Sequence, residues 1–296
     1  MRKAAWIWKI KDVYGGDPAL IAAKAKAAGF TDVYIKVADG GYTYNITDGV
    51  DKCPATVAAL KAVGIKVWGW HYVYGYYPSL EVAAAVKRIG QLGLDGYILD
   101  AEVEYKNRPT QASTLCSGIK NAYPKLPMAL ASFRFPSYHP EFPWRTFLSA
   151  CTVNMPQVYW QAAHNAGDQL QRSFDEFAGL NKQYGLNVPF EPVAAVYSEH
   201  GWTPTADEEK DFIESATRLS LPGLSFYCWD DALLQGLSDQ WKVAEDFQKV
   251  IAPPPQPVDT ENLETVINLL ADVISDIGKA AGRLSSSVDL LKKLVR

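Results

Sequence analysis

The sequence predicts a (β/α)8 TIM barrel over residues 1–251, then a proline-rich linker and an amphipathic, coiled-coil-like helix. Three observations carry this prediction. Eight short runs rich in Val, Ile, Tyr, Trp and Phe recur up to residue 230, with helix-like runs after them. About 250 residues is the length at which eight such units close a barrel. No G-x-G-x-x-G follows the first run, so the nucleotide-binding form of an open, doubly wound sheet lacks its phosphate cradle.

The strands are expected at 4–10, 32–38, 66–74, 96–104, 127–135, 152–160, 189–198 and 223–230, and helices include 18–28, 54–63, 80–92 and 205–219. Thr205 precedes Asp207, Glu208 and Glu209, which suits a capped helix start with acidic side chains against the positive end of its dipole. Gly29 and Gly64 follow two of the helices, where a left-handed residue ends the spiral.

Past residue 251 the pattern changes. Pro253-Pro254-Pro255-Gln256-Pro257 cannot lie inside a helix or a central strand, because proline has no N–H to donate, so 252–258 reads as a stiff linker. Over 259–296, Leu263, Ile267, Leu270, Ile274, Ile277, Ala281, Leu284, Val288, Leu291 and Val295 alternate at spacings of four and three. That is a heptad seam. Val266, Val273, Ala280 and Leu294 widen the stripe, so the expectation is a homo-oligomeric bundle of three or more helices, or docking on a protein partner. Asp272, Asp276 and Asp289 make a membrane-surface helix the poorer reading.

Composition removes several function classes. Lys and Arg number 29 against 33 Asp and Glu, a net charge of -4, so nothing favours a nucleic-acid backbone. No apolar run reaches the length of a membrane span, and no signal peptide follows Met1-Arg2-Lys3. The expected location is the cytoplasm, or release or assembly by a non-classical route such as a phage-like particle. Cys53, Cys116, Cys151 and Cys228 are far apart and read as reduced, mostly buried thiols. The sequence holds no G-x-S-x-G elbow, P-loop or H-E-x-x-H, and its four histidines are scattered, so neither cofactor nor metal is expected.

A barrel carries its chemistry at the C-terminal ends of its strands. By alternation, Asp100, Glu102 and Glu104 share one face at the end of the fourth strand, opposite Tyr97, Leu99, Ala101 and Val103. Three neighbouring carboxylates repel one another, which raises at least one pKa towards that of a general acid at neutral pH. A solvated strand end or a metal-binding face is the alternative. Trp68, Trp70, Tyr72 and Tyr74 share a face of the third strand; Tyr72 and Tyr74, near the mouth, suit sugar rings with polar edges, and His71 falls on the opposite face as a structural residue. Gln157 and Tyr159 share a face of the sixth strand, if Pro156 adds no bulge, and can hydrogen-bond substrate or developing charge. The other ends offer Trp8, Lys36 or Asp39, Arg134, Tyr197 and Glu199, Trp229 as a floor, and Asp230. Aromatic rings and carboxylates with few cations describe a carbohydrate cleft better than a phosphate site.

On these residues the chain resembles the TIM-barrel glycoside hydrolases, including a group of bacterial and phage hydrolase-like barrels. Asp100-Ala101-Glu102 resembles the strand-four D-x-E element of family 18 chitinases and family 25 lysozymes. Met155-Pro156-Gln157-Val158-Tyr159 is similar to the strand-six tyrosine element of the chitinases, Trp229 to their strand-eight tryptophan, and Gly69-Trp70-His71-Tyr72 to a strand-three segment of the lysozymes. Two departures stand out: Gly96, Tyr97 and Ile98 replace the full run of aspartates before the glutamate, and Trp8 stands in the first strand where the lysozymes have an acid. The resemblance implies a glycoside hydrolase acting on a polysaccharide such as N-acetylated cell-wall glycan. Glu102 would protonate the leaving oxygen, Asp100 would polarise a substrate N-acetyl group or act with water, and Glu104 or Asp230 would be the base in a direct displacement. The alternative is a non-catalytic carbohydrate-binding or structural barrel, assembled into an oligomer or particle by its C-terminal helix.

Overall fold

A computed structural model describes residues 1–247; the linker expected over 252–258 and the amphipathic helix expected over 259–296 lie outside the described residues. Eight parallel strands close on themselves: β1 (Arg2–Ile7), β2 (Asp32–Asp39), β3 (Lys66–Val73), β4 (Gly96–Ala101), β5 (Met128–Phe133), β6 (Val153–Gln157), β7 (Val193–Ala195) and β8 (Gly223–Tyr227). Each pairs with its neighbours in chain order, and β1 pairs with both β2 and β8 to complete the ring. Helices α1 (Pro18–Ala27), α2 (Cys53–Ala62), α3 (Pro78–Leu92), α4 (Pro109–Ala122), α5 (Trp144–Ala150), α6 (Ala166–Tyr184) and α7 (Ala206–Arg218) follow successive strands, and α8 (Trp229–Leu234) and α9 (Ser238–Glu245) follow β8. This is the predicted TIM barrel.

The local signals act as their chemistry requires. The Asp17 carboxylate accepts from the backbone N–H groups of Ala19 and Leu20 to start α1. Thr205 and Glu208 form a reciprocal capping box on α7. Several strands end earlier than their apolar runs. The clearest case is β4, which stops at Ala101 before a 3-10 turn over Val103–Tyr105, so Glu104 is not on the extended face expected for it.

Alternation splits the strand side chains between two cores. Ala4, Trp6, Tyr34, Trp68, Trp70, Ile98, Ala129, Ala131, Val153, Met155 and Val193 fill the barrel, while Ile7, Val33, Ile35, Val67, Leu99, Leu130 and Phe226 pack outward beneath the helices. The interior rings lock edge to face: Trp6 lies 5.2 Å from Tyr34 and 5.7 Å from Trp70. Gly96 faces the Trp68 indole so closely that a Cβ there would lie 2.2 Å from the ring. Any side chain at that position would displace the tryptophan. Below, Arg2 joins Glu191 at 3.1 Å and Asp32 at 3.7 Å, so the cavity opens at the C-terminal end of the strands.

All four cysteines are buried free thiols. Among the described residues no helix is long and apolar enough to cross a membrane.

His71 points outward from β3, fully buried, with Nε2 on the Gly40 carbonyl at 2.7 Å and Nδ1 on the Tyr97 hydroxyl at 3.0 Å. Burial holds its pKa down at about 4. The unfolded chain, with a pKa near 6.5, therefore binds the extra proton first. This contribution is complete above pH 6.5 and is lost as pH falls towards 4, amounting to about 3 kcal/mol. Urea unfolding across that window should show the loss, and His71→Gln should flatten the slope.

Candidate active site

The strand ends enclose a cavity of about 440 Å³. Asp100 and Glu102 stand on one wall, Gln157 and Tyr159 on another, and Trp8, Trp70, Tyr72 and Tyr227 supply the rings. Gln157 Nε2 donates to Asp100 Oδ1 and to Glu102 Oε1, at 2.9 Å each. One amide thus holds the two carboxyl groups side by side. Asp100 is 7% exposed. Burial first, and then the charge of Glu102, push its pKa well above the usual carboxylate range, and the nearby Lys36 ammonium acts against that rise. Burial also raises Glu102, opposed by the hydrogen bond from Gln157. The pair is therefore built to keep a proton at a pH where an exposed carboxyl would have lost it. Glu104 reaches the same area from its 3-10 turn, where its two oxygens accept from the Tyr72 hydroxyl at 3.2 and 3.1 Å.

Strand β2 contributes more than its spacing implies. Residues three apart on a regular strand point to opposite faces. A register shift between Lys36 and Ala38 sets Lys36 opposite Trp70 and Asp39 opposite Tyr72, so both face the mouth. Lys36 Nζ then meets Asp39 Oδ2 at 2.6 Å. The same ammonium lies 4.4 Å from the centre of the Tyr44 ring, 4.9 Å from Trp70 and 5.6 Å from Trp8. Among the described residues, Lys36 is the only cation lining the cavity.

Several expected site residues lie elsewhere. Trp229 is not a cavity floor. β8 stops at Tyr227 and the chain turns into α8, which carries Trp229 outward to stack on Trp241 at 5.4 Å; Tyr227 takes the cavity position instead. Asp230 is also unavailable to substrate: it is 1% exposed, and its oxygens accept from the backbone N–H groups of Trp8 at 2.9 Å and Lys9 at 3.0 Å. It is a strut that positions Trp8. Arg134 is half-buried and donates to the Tyr159 carbonyl, with its guanidinium over Phe135, so it braces Tyr159 from behind. Tyr197 likewise backs Tyr159, ring centres 5.3 Å apart, and receives a hydrogen bond from Gln161. Tyr74 lies past the end of β3, outside the cavity, and donates to Asp39 Oδ1 at 2.9 Å. Trp6 and Tyr227, not expected as site residues, line the cavity floor, and Glu199 stands at its mouth. The Trp6–Trp8 and Ser225–Tyr227 alternation was the signal for the first two.

Cys228, Asp230 and Asp231 bring ligand-type atoms within 4.8 Å of one another, but the Asp230 oxygens are taken by backbone N–H groups and Cys228 Sγ lies 3.2 Å from Asp231.

The sequence matches no family model and no curated protein. Solved structures do share the fold. A chitinase from Chromobacterium violaceum superposes with a TM-score of 0.58 at 14% identity, covering 80% of this chain and 99% of that one. A family 18 chitinase from Cycas revoluta gives 0.63 at 10% identity, covering 84% and 100%. The spore cortex-lytic enzyme of Bacillus megaterium gives 0.53 at 9% identity, covering 83% and 73%. The protein is a TIM barrel with broad similarity in fold to family 18-type hydrolase barrels.

Proposed function

We propose that this barrel is a retaining glycosidase that cleaves an N-acetylated polysaccharide with help from the substrate's own acetamide. The observation that carries the reading is the Gln157 amide bridging Asp100 and Glu102 within a ring-lined cavity. Glu102 gives its proton to the leaving glycosidic oxygen as the anomeric C–O bond breaks. The acetamide oxygen forms the new bond to the anomeric carbon, giving a cyclic oxazolinium, and Asp100 stabilises the charge that develops on the acetamide nitrogen. Water then opens the ring while Glu102 takes back a proton. Tyr159, beside both carboxyls, holds the acetamide, and the aromatic wall takes the sugar faces. The names of the similar structures, chitinases and a cortex-lytic enzyme, agree with this substrate class. Assay of the purified chain against chitin and peptidoglycan tests it. Hydrolysis with retention of configuration is expected; sugar binding without turnover would favour the non-catalytic barrel.

Lys36 sets the working pH in this scheme. The active form holds one proton between Asp100 and Glu102, so activity is bounded by the two macroscopic pKa values of the pair. Removing the ammonium makes each ionisation harder, and both limbs of the pH–rate profile should move upward. Lys36→Met should shift them upward, while Lys36→Arg should largely restore the profile.

We further propose that the heptad seam of 259–296 gathers several barrels and raises attachment to a repetitive glycan by avidity. Light scattering should give an oligomer for the full chain and a monomer for a chain ending at Ile251. Ile274→Asp with Ile277→Asp should also dissolve the oligomer, through unpaired charge in the seam.

A further inference from the structure

Strand β1 ends at Ile7, yet Trp8, the next residue, still lines the cavity. Side chains hold this segment in place of a neighbouring strand. Asp230 takes the N–H groups of Trp8 and Lys9 from one side. Asn45 takes the rest from the other: Oδ1 accepts from the Ile10 N–H at 2.8 Å, and Nδ2 donates to the Trp8 carbonyl at 3.1 Å. The same Nδ2 also donates to the Lys36 carbonyl at 2.7 Å. One amide therefore ties the end of β1 to β2 at the two residues, Trp8 and Lys36, whose side chains meet in the cavity with the ammonium 5.6 Å from the ring centre.

Lys36 is also where β2 leaves regular register. A bulge leaves its extra residue without a ladder partner, and a buried carbonyl left unpaired is costly. Tyr44 and Asn45 supply the missing partners. The Tyr44 N–H donates to the Val37 carbonyl at 3.0 Å, next to the Asn45 bond to Lys36. The Tyr44 ring then lies 4.4 Å from the Lys36 ammonium. Only with the extra residue do Lys36 and Asp39 share a face, so whatever holds the bulge also decides where the ammonium sits.

Asparagine suits this position. Asn45 is buried and its backbone is left-handed, with φ at +62°. Asparagine adopts that conformation more readily than most residues with a side chain, and its short amide both accepts and donates, as an ionised aspartate cannot. The Asn45 carbonyl accepts from the Lys52 N–H at 3.0 Å, just before α2, so the clasp is anchored before anything binds.

We propose that Asn45 is a positioning residue of the candidate active site: by clasping the β2 bulge to the end of β1, it fixes the Lys36 ammonium on the cavity wall facing the Asp100–Glu102 pair. Its bearing on turnover rests on the glycosidase reading; the placement of the ammonium does not. The pair also faces Glu104, Tyr72, Tyr159, Tyr197 and Tyr227, with Glu199 at the mouth, and among the described residues Lys36 is the only cation lining the cavity. An ammonium in place favours the ionised pair, so its loss makes ionisation harder.

The test is a carbon NMR titration of the Asp100 and Glu102 carboxyl groups in the full chain, a readout that needs no turnover. Asn45→Gly keeps the left-handed backbone and removes the amide. It should move the titration of the pair upward, as Lys36→Met does, and Asn45→Gly with Lys36→Met should move it no further than Lys36→Met alone. Asn45→Ser, whose hydroxyl cannot span all three backbone groups, is measured alongside, should shift the same way by less, and serves if the glycine variant does not fold. An unchanged titration, a downward shift, or a shift that adds in full to that of Lys36→Met overturns the proposal. A wild-type chain that hydrolyses no glycan overturns the glycosidase reading alone, because the titration still reports where the ammonium sits.

Discussion

Glu102→Gln should lose about 10²–10⁴-fold in turnover while keeping its affinity for oligosaccharide. The amide is nearly the same size as the carboxyl and can still bond with Gln157, but it has no proton to give the leaving oxygen. The proposed scheme makes Glu102 both acid and base, so the loss should appear in kcat and leave KM nearly constant. Asp100→Asn should also lose activity, but differently. Asparagine cannot stabilise positive charge on the acetamide nitrogen, and it removes the carboxyl that hydrogen-bonds Glu102 and shares its proton, so the remaining rate should follow an altered pH profile. Near-normal turnover by Glu102→Gln would remove Glu102 from the chemistry. Thermal melting separates this loss from misfolding, since a side chain at the barrel mouth contributes little to the core.

Asp230→Ala should cost about 3–5 kcal/mol of stability and, in addition, most of the activity. Its carboxylate accepts two part-buried backbone N–H bonds, from Trp8 and Lys9, and each bond to a charged acceptor is worth about 1.5–3 kcal/mol. Alanine leaves both donors without a partner and frees the segment that holds Trp8 against the cavity. Asp230→Asn, which keeps one acceptor, should lose about half as much. Chemical unfolding measures the first effect and KM the second. A loss below about 1 kcal/mol would show that the strut is dispensable.

Much of the candidate site was legible because strand alternation is a local property. Asp100 and Glu102 lie two apart at the end of β4, as do Gln157 and Tyr159 at the end of β6, and both pairs line the cavity. Where the strand stopped being regular, the reading failed. The bulge in β2 placed Asp39 beside Lys36 on one face, and the end of β4 at Ala101 moved Glu104 onto a turn. The end of β8 at Tyr227 exchanged Trp229 for Tyr227 in the cavity. Strand ends depend on where neighbouring strands stop offering hydrogen bonds, and those neighbours are distant in sequence.

The sequence by itself determined the barrel, because eight alternating periods of two and 3.6 in about 250 residues admit few other closed arrangements. It also placed Asp100 and Glu102 together at the end of one strand, since residues two apart on an extended chain share a face. Only the tertiary structure decided that one glutamine amide spans two carboxyls and that Asp230 serves the backbone and not a ligand. These are contacts between residues dozens to hundreds of positions apart. Their partners are chosen by closure of the ring, which no local pattern encodes.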